Sequence, residues 1–222
     1  MTPDTSEHAA KVRDYFDHRV AAYDAFYEEP SRFGRWFNRT FRKAVYMRRD
    51  QTTALADRYG CRTLLDVGCG SGQNSVWFVR HGIERVFGLD VSAEMIEEAQ
   101  ALAERAGVTD RCEFQHGDFT SFPAGRHFDM ACALGVMDYV EQPEPFLRHM
   151  AEFADRVVYA SFPGWTLVRS PLRKVRYALR GCPTHFYRRR EIEALFGAVG
   201  FGPVSIKPIP SGHLVWAVKN SL

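Results

Sequence analysis

Residues 63–74 read TLLDVGCGSGQN, a short apolar run that closes on Asp66 and passes into a turn holding Gly68, Gly70 and Gly72. The run TLLDV (63–67) predicts a buried strand, and the helix formers over 73–81 predict the helix that follows it. A strand, a glycine turn and a helix make the unit that holds ligands at the carboxyl end of a parallel sheet, because the crevice opens there. Glycine is needed in such a turn where φ is positive or where a ligand must touch the backbone.

The same alternation repeats downstream. RVFGLD (85–90), RCEFQ (111–115), FDMACAL (128–134) and RVVYASF (156–162) read as further strands, with helical stretches over 92–106 and 144–154 between them. Ser92 is placed to cap the first of these and Gly107 to stop it. The tail predicts a helix, EIEALFGAVG, closed by Gly200, then two strands turning at Ser211-Gly212. The fold class is therefore α/β: a Rossmann-like, doubly wound, seven-stranded mixed sheet in a single domain over 1–222.

Two regions decorate this core (61–162). Residues 1–60 predict a helical cap, with Phe33, Trp36, Phe37, Phe41, Ala44 and Val45 on one stripe and Arg35, Arg39, Arg42 and Lys43 on other faces. Residues 163–190 predict an inserted lid that carries eight Arg or Lys and no acid. Such a stretch can recruit an anionic substrate, graze an anionic membrane as a peripheral contact, or simply present a solvated helix face. The last helix and hairpin occupy 191–222.

Composition sets the outer limits. With 222 residues, 45% of them apolar, the chain can bury about 70% of its unfolded surface without disulfides or metal. The five cysteines include no C-x-x-C pair and sit mostly in apolar runs, as reduced core thiols do. The opening MTPDTSEHAAKVRDYF has no apolar signal region, and no window approaches the ~18 apolar residues of a membrane span. A cytoplasmic protein is expected. A net charge of +2 does not suggest a phosphate-backbone binder, so no nucleic-acid partner is expected.

A dinucleotide fingerprint, G-x-G-x-x-G, fails here in both frames: the third glycine would fall on Gln73 or Ser75. The spacing that fits is D-x-G-x-G-x-G, and this stretch resembles the first motif of the class I S-adenosylmethionine-dependent methyltransferases. The likeness runs motif by motif from 63 to about 160. It implies that Gly68, Cys69, Gly70 and Gly72 lie against the methionyl part of S-adenosylmethionine and that Asp66 helps hold its amino group. It implies further that Asp90, with Val91 beside it, takes the ribose hydroxyls. Gly117, Asp118 and Phe119 then frame the adenine, and Leu134 faces the transferred methyl. Met95 is a candidate adenosine contact or a core residue. A carboxylate beside the loop suits a sulfonium better than a pyrophosphate.

The outer layout resembles the magnesium-protoporphyrin and ubiquinone-type small-molecule O-methyltransferases. They share an N-terminal Y-F helix, an aromatic-acid segment after the fourth strand and an A-S-F-like fifth strand. The porphyrin enzymes have a Tyr at the position of Tyr15 but a His at that of Asp138, which argues against a porphyrin acceptor. Asp138 is a candidate base or a helix cap. His185, in P-T-H-F-Y, is a second candidate base or a packing residue. Tyr15 and Tyr23 share one helix face and can close over the cofactor or simply pack.

The expected function is methylation of a small-molecule acceptor, most readily at oxygen, with N- or C-methylation and an NAD(P)-dependent reductase as alternatives. A cofactor-binding scaffold without catalysis is the non-enzyme reading. No metal is required by methyl transfer. Monomer and homodimer are both open.

Overall fold

The computed structural model describes residues 13, 34–164, 185–200 and 202–219, and within 34–42 the backbone alone. Tyr15, Tyr23, most of the 1–60 cap and the 165–184 part of the insertion lie outside the described residues.

Residues Gly34–Tyr59 form α1, and the chain then enters β1 (Thr63–Val67), α2 (Gln73–Arg80), β2 (Arg85–Asp90), α3 (Ala93–Ala106) and β3 (Cys112–His116). A short 3-10 turn (Phe119–Ser121) leads to β4 (Phe128–Ala133), α4 (Pro143–Phe153) and β5 (Ala154–Pro163). The described chain resumes before α5 (Arg189–Gly197), which is followed by β6 (Ser205–Ile209) and β7 (Gly212–Val218). The seven strands make one mixed sheet in the order β3-β2-β1-β4-β5-β7-β6. Strands β1 to β5 are parallel, and β7 runs antiparallel to both of its neighbours. The order reverses between β1 and β4, which is where an open parallel sheet forms its ligand crevice.

Both faces of the sheet are covered, so adjacent strand residues are buried on opposite sides. Leu64 and Tyr159 join Phe78 and Ile96 of α2 and α3 on one face, with Leu55 of α1. Leu65 and Phe162 meet Phe153 and Phe196 of α4 and α5 on the other. Ser92 Oγ accepts from Met95 N at 3.2 Å, and Gly107 closes α3 in the left-handed region (φ 66°), as its sequence predicts.

Several boundaries differ from the sequence reading: β3 ends at His116, β4 at Ala133 and β5 at Pro163, and α5 stops at Gly197, so Gly200 stands beyond its end. Strand β3 starts one residue late, at Cys112, and the Arg111 guanidinium just before it donates to the carbonyls of Val79, Ile83 and Glu84. Helix α4 runs into β5 with no intervening loop, so β5 begins at Ala154. The hairpin turns at 210–211, and Gly212 is the first residue of β7. Its glycine answers a close approach between strands: a Cβ there would stand 2.0 Å from the carbonyl oxygen of Phe162. Among the described residues no helix is long and apolar enough to cross a membrane.

Candidate active site

The glycine turn leaves β1 with Gly68, Gly70 and Gly72 at φ 69°, 56° and 74°, all in the left-handed region. Two of these glycines are also fixed by packing. A Cβ on Gly68 would meet Val136 Cγ2 at 2.4 Å, and one on Gly72 would meet Ala99 Cβ at 2.9 Å and Phe114 Cζ at 3.0 Å. Gly68 N and Cys69 N both donate to the carbonyl of Leu89, which folds the turn over the end of β2. Cys69 itself is buried, and its Sγ points back to Gly70 O at 3.6 Å.

Asp90, at the end of β2, binds the turn directly. Its Oδ2 accepts from Gly70 N at 2.8 Å and its Oδ1 from Ser92 N at 3.0 Å. One carboxylate thus sets the glycine loop and the start of α3 in a fixed relation. Val91 and Gly117 lie alongside: Val91 O is 3.1 Å from His116 Nε2, and Gly117 N donates to Asp90 O at 2.9 Å. Asp118 caps the 3-10 turn, its Oδ1 accepting from Thr120 N and Oγ1.

Asp66 is placed differently. It is 1% exposed, and its Oδ2 accepts from Ser75 Oγ at 2.6 Å while Cys132 Sγ lies 3.6 Å from Oδ1. Burial pushes the carboxyl up to about 6, against the lowering effect of the Ser75 and Cys132 hydrogen bonds, with nearby Asp90 adding a further rise. A carboxyl that holds its proton more tightly when folded stabilises the fold at a pH below its ordinary value of 3.8. That advantage is lost as the pH rises through about 6. Asp66→Asn is therefore expected to gain up to ~3 kcal/mol over the parent chain at pH 8 and nothing at pH 3.5. Urea unfolding at the two pH values measures this, and a pH-independent difference would contradict it.

Two of the aromatic and apolar candidates are core residues in the structure. Met95 is 1% exposed. Phe119 is buried against Phe146, His149 and Phe153, with ring centroids 5.0 to 5.6 Å apart. Leu134 is buried just beyond β4. The next residue, Gly135 (φ 84°), donates from its N to Ser161 Oγ at 2.8 Å.

The segment after β4 and the residues after the insertion meet. His185 N donates to the carbonyl of Asp138 at 2.8 Å, and Tyr187 N donates to Pro163 O at 3.1 Å. The two candidate bases are thereby brought onto adjoining backbone, with Asp138 buried at 7% exposure.

The sequence reading missed Arg48. Its Nη1 lies 3.3 Å from where a Cβ of Gly135 would stand, and its buried Nε has no hydrogen-bond partner. The Arg48 carbonyl accepts from Thr52 Oγ1 at 2.8 Å and Tyr159 Oη at 3.3 Å. Its neighbour Arg49 pins α1 to α2 through Asn74 Oδ1 at 3.0 Å and Gln73 O at 3.1 Å. A guanidinium with a buried donor unspent suits a carboxylate, which accepts in bidentate fashion. The available signal was its position: Arg48 lies i+4 from buried Ala44 and i−4 from buried Thr52, a cation on the inward stripe of α1.

At the amino ends of the strands lies an open cleft of about 1070 Å³ between α3 and β3. Two of the guanidiniums that line it are engaged within the protein: Arg126 pairs with both oxygens of Glu113, and Arg111 with three carbonyls. The glycine turn, Asp90 and Gly135 stand at the opposite end of the sheet.

The sequence profile described as a methyltransferase domain matches residues 64–156. The ubiquinone biosynthesis O-methyltransferase of Azorhizobium caulinodans is 34% identical over 149 residues, covering 62% of this chain and 58% of that protein. The ajmaline N-methyltransferase of Rauvolfia serpentina is 24% identical over 162 residues, covering 67% of this chain and 55% of that protein. The chain thus spans somewhat over half the length of these curated relatives. Among solved structures, the magnesium protoporphyrin IX methyltransferase of Synechocystis with bound SAH superposes with a TM-score of 0.78 at 23% identity. That match covers 96% of this chain and all of the other, and at such identity it speaks to the fold. The D-x-G-x-G-x-G turn on β1, the acid on β2, the 3-2-1-4-5-7-6 sheet and the matching profile converge on one assignment: residues 64–156 form a methyltransferase domain of the class I, S-adenosylmethionine-dependent kind.

Proposed function

We propose that the chain transfers the methyl group of S-adenosylmethionine to an oxygen of a small-molecule acceptor. The observation that carries this reading is the set of groups converging on one end of β1, β2 and β4. These are a turn of three positive-φ glycines, the Asp90 carboxylate bonded to Gly70 N, and the Arg48 guanidinium over Gly135 with its Nε unspent. When bound, the cofactor supplies a sulfonium methyl that is already a strong electrophile. The protein has to orient an acceptor lone pair, exclude water and receive a proton.

In this reading Gly68, Cys69, Gly70 and Gly72 offer backbone to the methionyl portion, and Asp66 supports that turn from beneath through Ser75. Asp90 and Val91 take the ribose. Gly117 and Asp118 bound the adenine side and Leu134 the methyl side, with Met95 and Phe119 packed in the core behind them. Asp138 or His185 removes the acceptor proton. Arg48 holds the amino-acid carboxylate of the cofactor. Oxygen as the acceptor atom draws support from the 34% identical O-methyltransferase, and the N-methyltransferase at 24% supports nitrogen as the second reading.

The carboxylate assignment has a sharp test. Arg48→Met should weaken S-adenosylhomocysteine binding by about tenfold to a hundredfold, the range for a charge-assisted pair. Binding of 5′-methylthioadenosine, which has the nucleoside but no amino acid, should be unchanged. Calorimetric titration of both ligands decides it, and equal losses for the two would remove Arg48 from this role. Transfer itself is tested with methyl-labelled cofactor against a panel of phenols, catechols and matched anilines. Label moving to the anilines alone would replace oxygen by nitrogen.

A further inference from the structure

We infer that Ser211 and His213, at the turn into β7, form a polar subsite for a hydroxyl group on the acceptor, remote from the atom that is methylated. This rests on the reading of the carboxyl end of the sheet as the acceptor side. Strand β7 starts where β5 ends: Gly212 pairs with Pro163 and His213 with Phe162. Both residues therefore stand at the same end of the sheet as the glycine turn, Asp90 and Gly135.

Ser211 Oγ and His213 Nδ1 are both buried, and neither has a hydrogen-bond partner. Two orphaned side-chain polar atoms within three residues are costly unless something completes them, since each forfeits its hydration on folding. The surroundings keep the pair rigid. Ser211 O accepts from Gly164 N at 3.1 Å, and a Cβ on Gly164 would lie 3.7 Å from His213 Cε1. Burial, and then the charge of Arg189, hold the His213 imidazole below its ordinary value, so it meets a ligand as a neutral ring.

The chemistry that completes such a pair is a hydroxyl. It can accept from the Ser211 hydroxyl, and it can donate to Nδ1 in one imidazole tautomer or accept from it in the other. An ammonium serves only the tautomer in which Nδ1 accepts, and an ether only the one in which it donates, whereas a hydroxyl serves both. Spacing adds a length. In the order β4-β5-β7 the subsite lies two strand positions from the end of β4, roughly 10 Å at the usual inter-strand distance. The subsite selects acceptors that carry a second hydroxyl about that far from the methylated atom, a span of two or three fused or linked rings.

The experiment uses the full-length chain saturated with S-adenosylhomocysteine, whose binding is measured first by calorimetry. Phenol and toluene, close in size and differing in the hydroxyl, are then titrated while the side-chain nitrogen resonances of His213 are followed. The expected result is that phenol shifts Nδ1 of His213 and binds about tenfold tighter than toluene. The preference should vanish in Ser211→Ala and in His213→Leu, with cofactor-product affinity retained in both. Equal binding of the two probes, or a fixed water bonded to both side chains that phenol does not displace, would overturn the subsite. Failure of S-adenosylhomocysteine to bind at all would instead count against the methyltransferase reading, and the phenol and toluene titrations on the unloaded chain still judge the subsite separately.

Discussion

Gly70→Val is expected to abolish measurable S-adenosylmethionine binding, a loss of at least a thousandfold, in a chain that remains folded. Gly70 sits at φ 56°, where a β-branched residue is a steric outlier, and its N–H is committed to Asp90 Oδ2 at 2.8 Å. Valine must either rotate the peptide, breaking the bond that fixes the loop to β2, or raise a branched side chain from the turn. Both outcomes spoil the surface that the methionyl portion would contact. The strain costs about 1–3 kcal/mol, a drop in melting temperature of roughly 2–12 °C for a domain of this size.

Gly72→Val provides the contrast. Its Cβ would run into Ala99 and Phe114 in the core, so that variant should lose stability first and binding only as a consequence. Calorimetry and thermal unfolding on both variants check the pair. Full affinity in Gly70→Val would detach the glycine turn from cofactor binding.

Asp138→Asn is expected to lower the turnover number by a factor of 10² to 10⁴, the usual contribution of a positioned base, with cofactor affinity unchanged. The substitution suits the structure. The link between the post-β4 segment and the end of the insertion runs through the main-chain carbonyl of Asp138, which accepts from His185 N, and asparagine keeps it. Asparagine also matches the carboxylate in shape, so the buried site, 7% exposed, need not repack. What is removed is the capacity to take a proton. A turnover that stays within twofold of the parent would pass the base role to His185, or leave alignment alone to account for the rate.

The legible part of the site was the part built from local sequence. Gly68, Gly70 and Gly72 announce a turn because only glycine accepts those backbone angles without strain, and their spacing argues against a pyrophosphate loop. Asp90 and Asp118 could be placed at strand ends because strand ends are marked by where apolar runs stop. Ser92 and Gly107 were readable as the two caps of α3 for the same local reason, and β1 and β2 fall on the predicted residues. The pairing of partners distant in the chain was not legible. Nothing near Asp66 says that its carboxyl is engaged by Ser75 and Cys132, because Cys132 reaches it only through the β1–β4 pairing. Phe119 reads equally well as a base-stacking ring or a core ring until Phe146 and Phe153 are seen against it.

By itself the sequence determined the α/β class and the order of its elements, since each depends on periodicity, caps and backbone freedom within a few residues, while the ligand of the glycine turn is what its resemblance to a family implies. Only the tertiary structure decided which side chains still have hydrogen bonds to give. Arg48 over Gly135, and Ser211 with His213 beside the end of β5, become visible as functional candidates once every neighbour is in place. An unspent donor or acceptor is a property of the whole surrounding shell, assembled from segments that the chain itself keeps far apart.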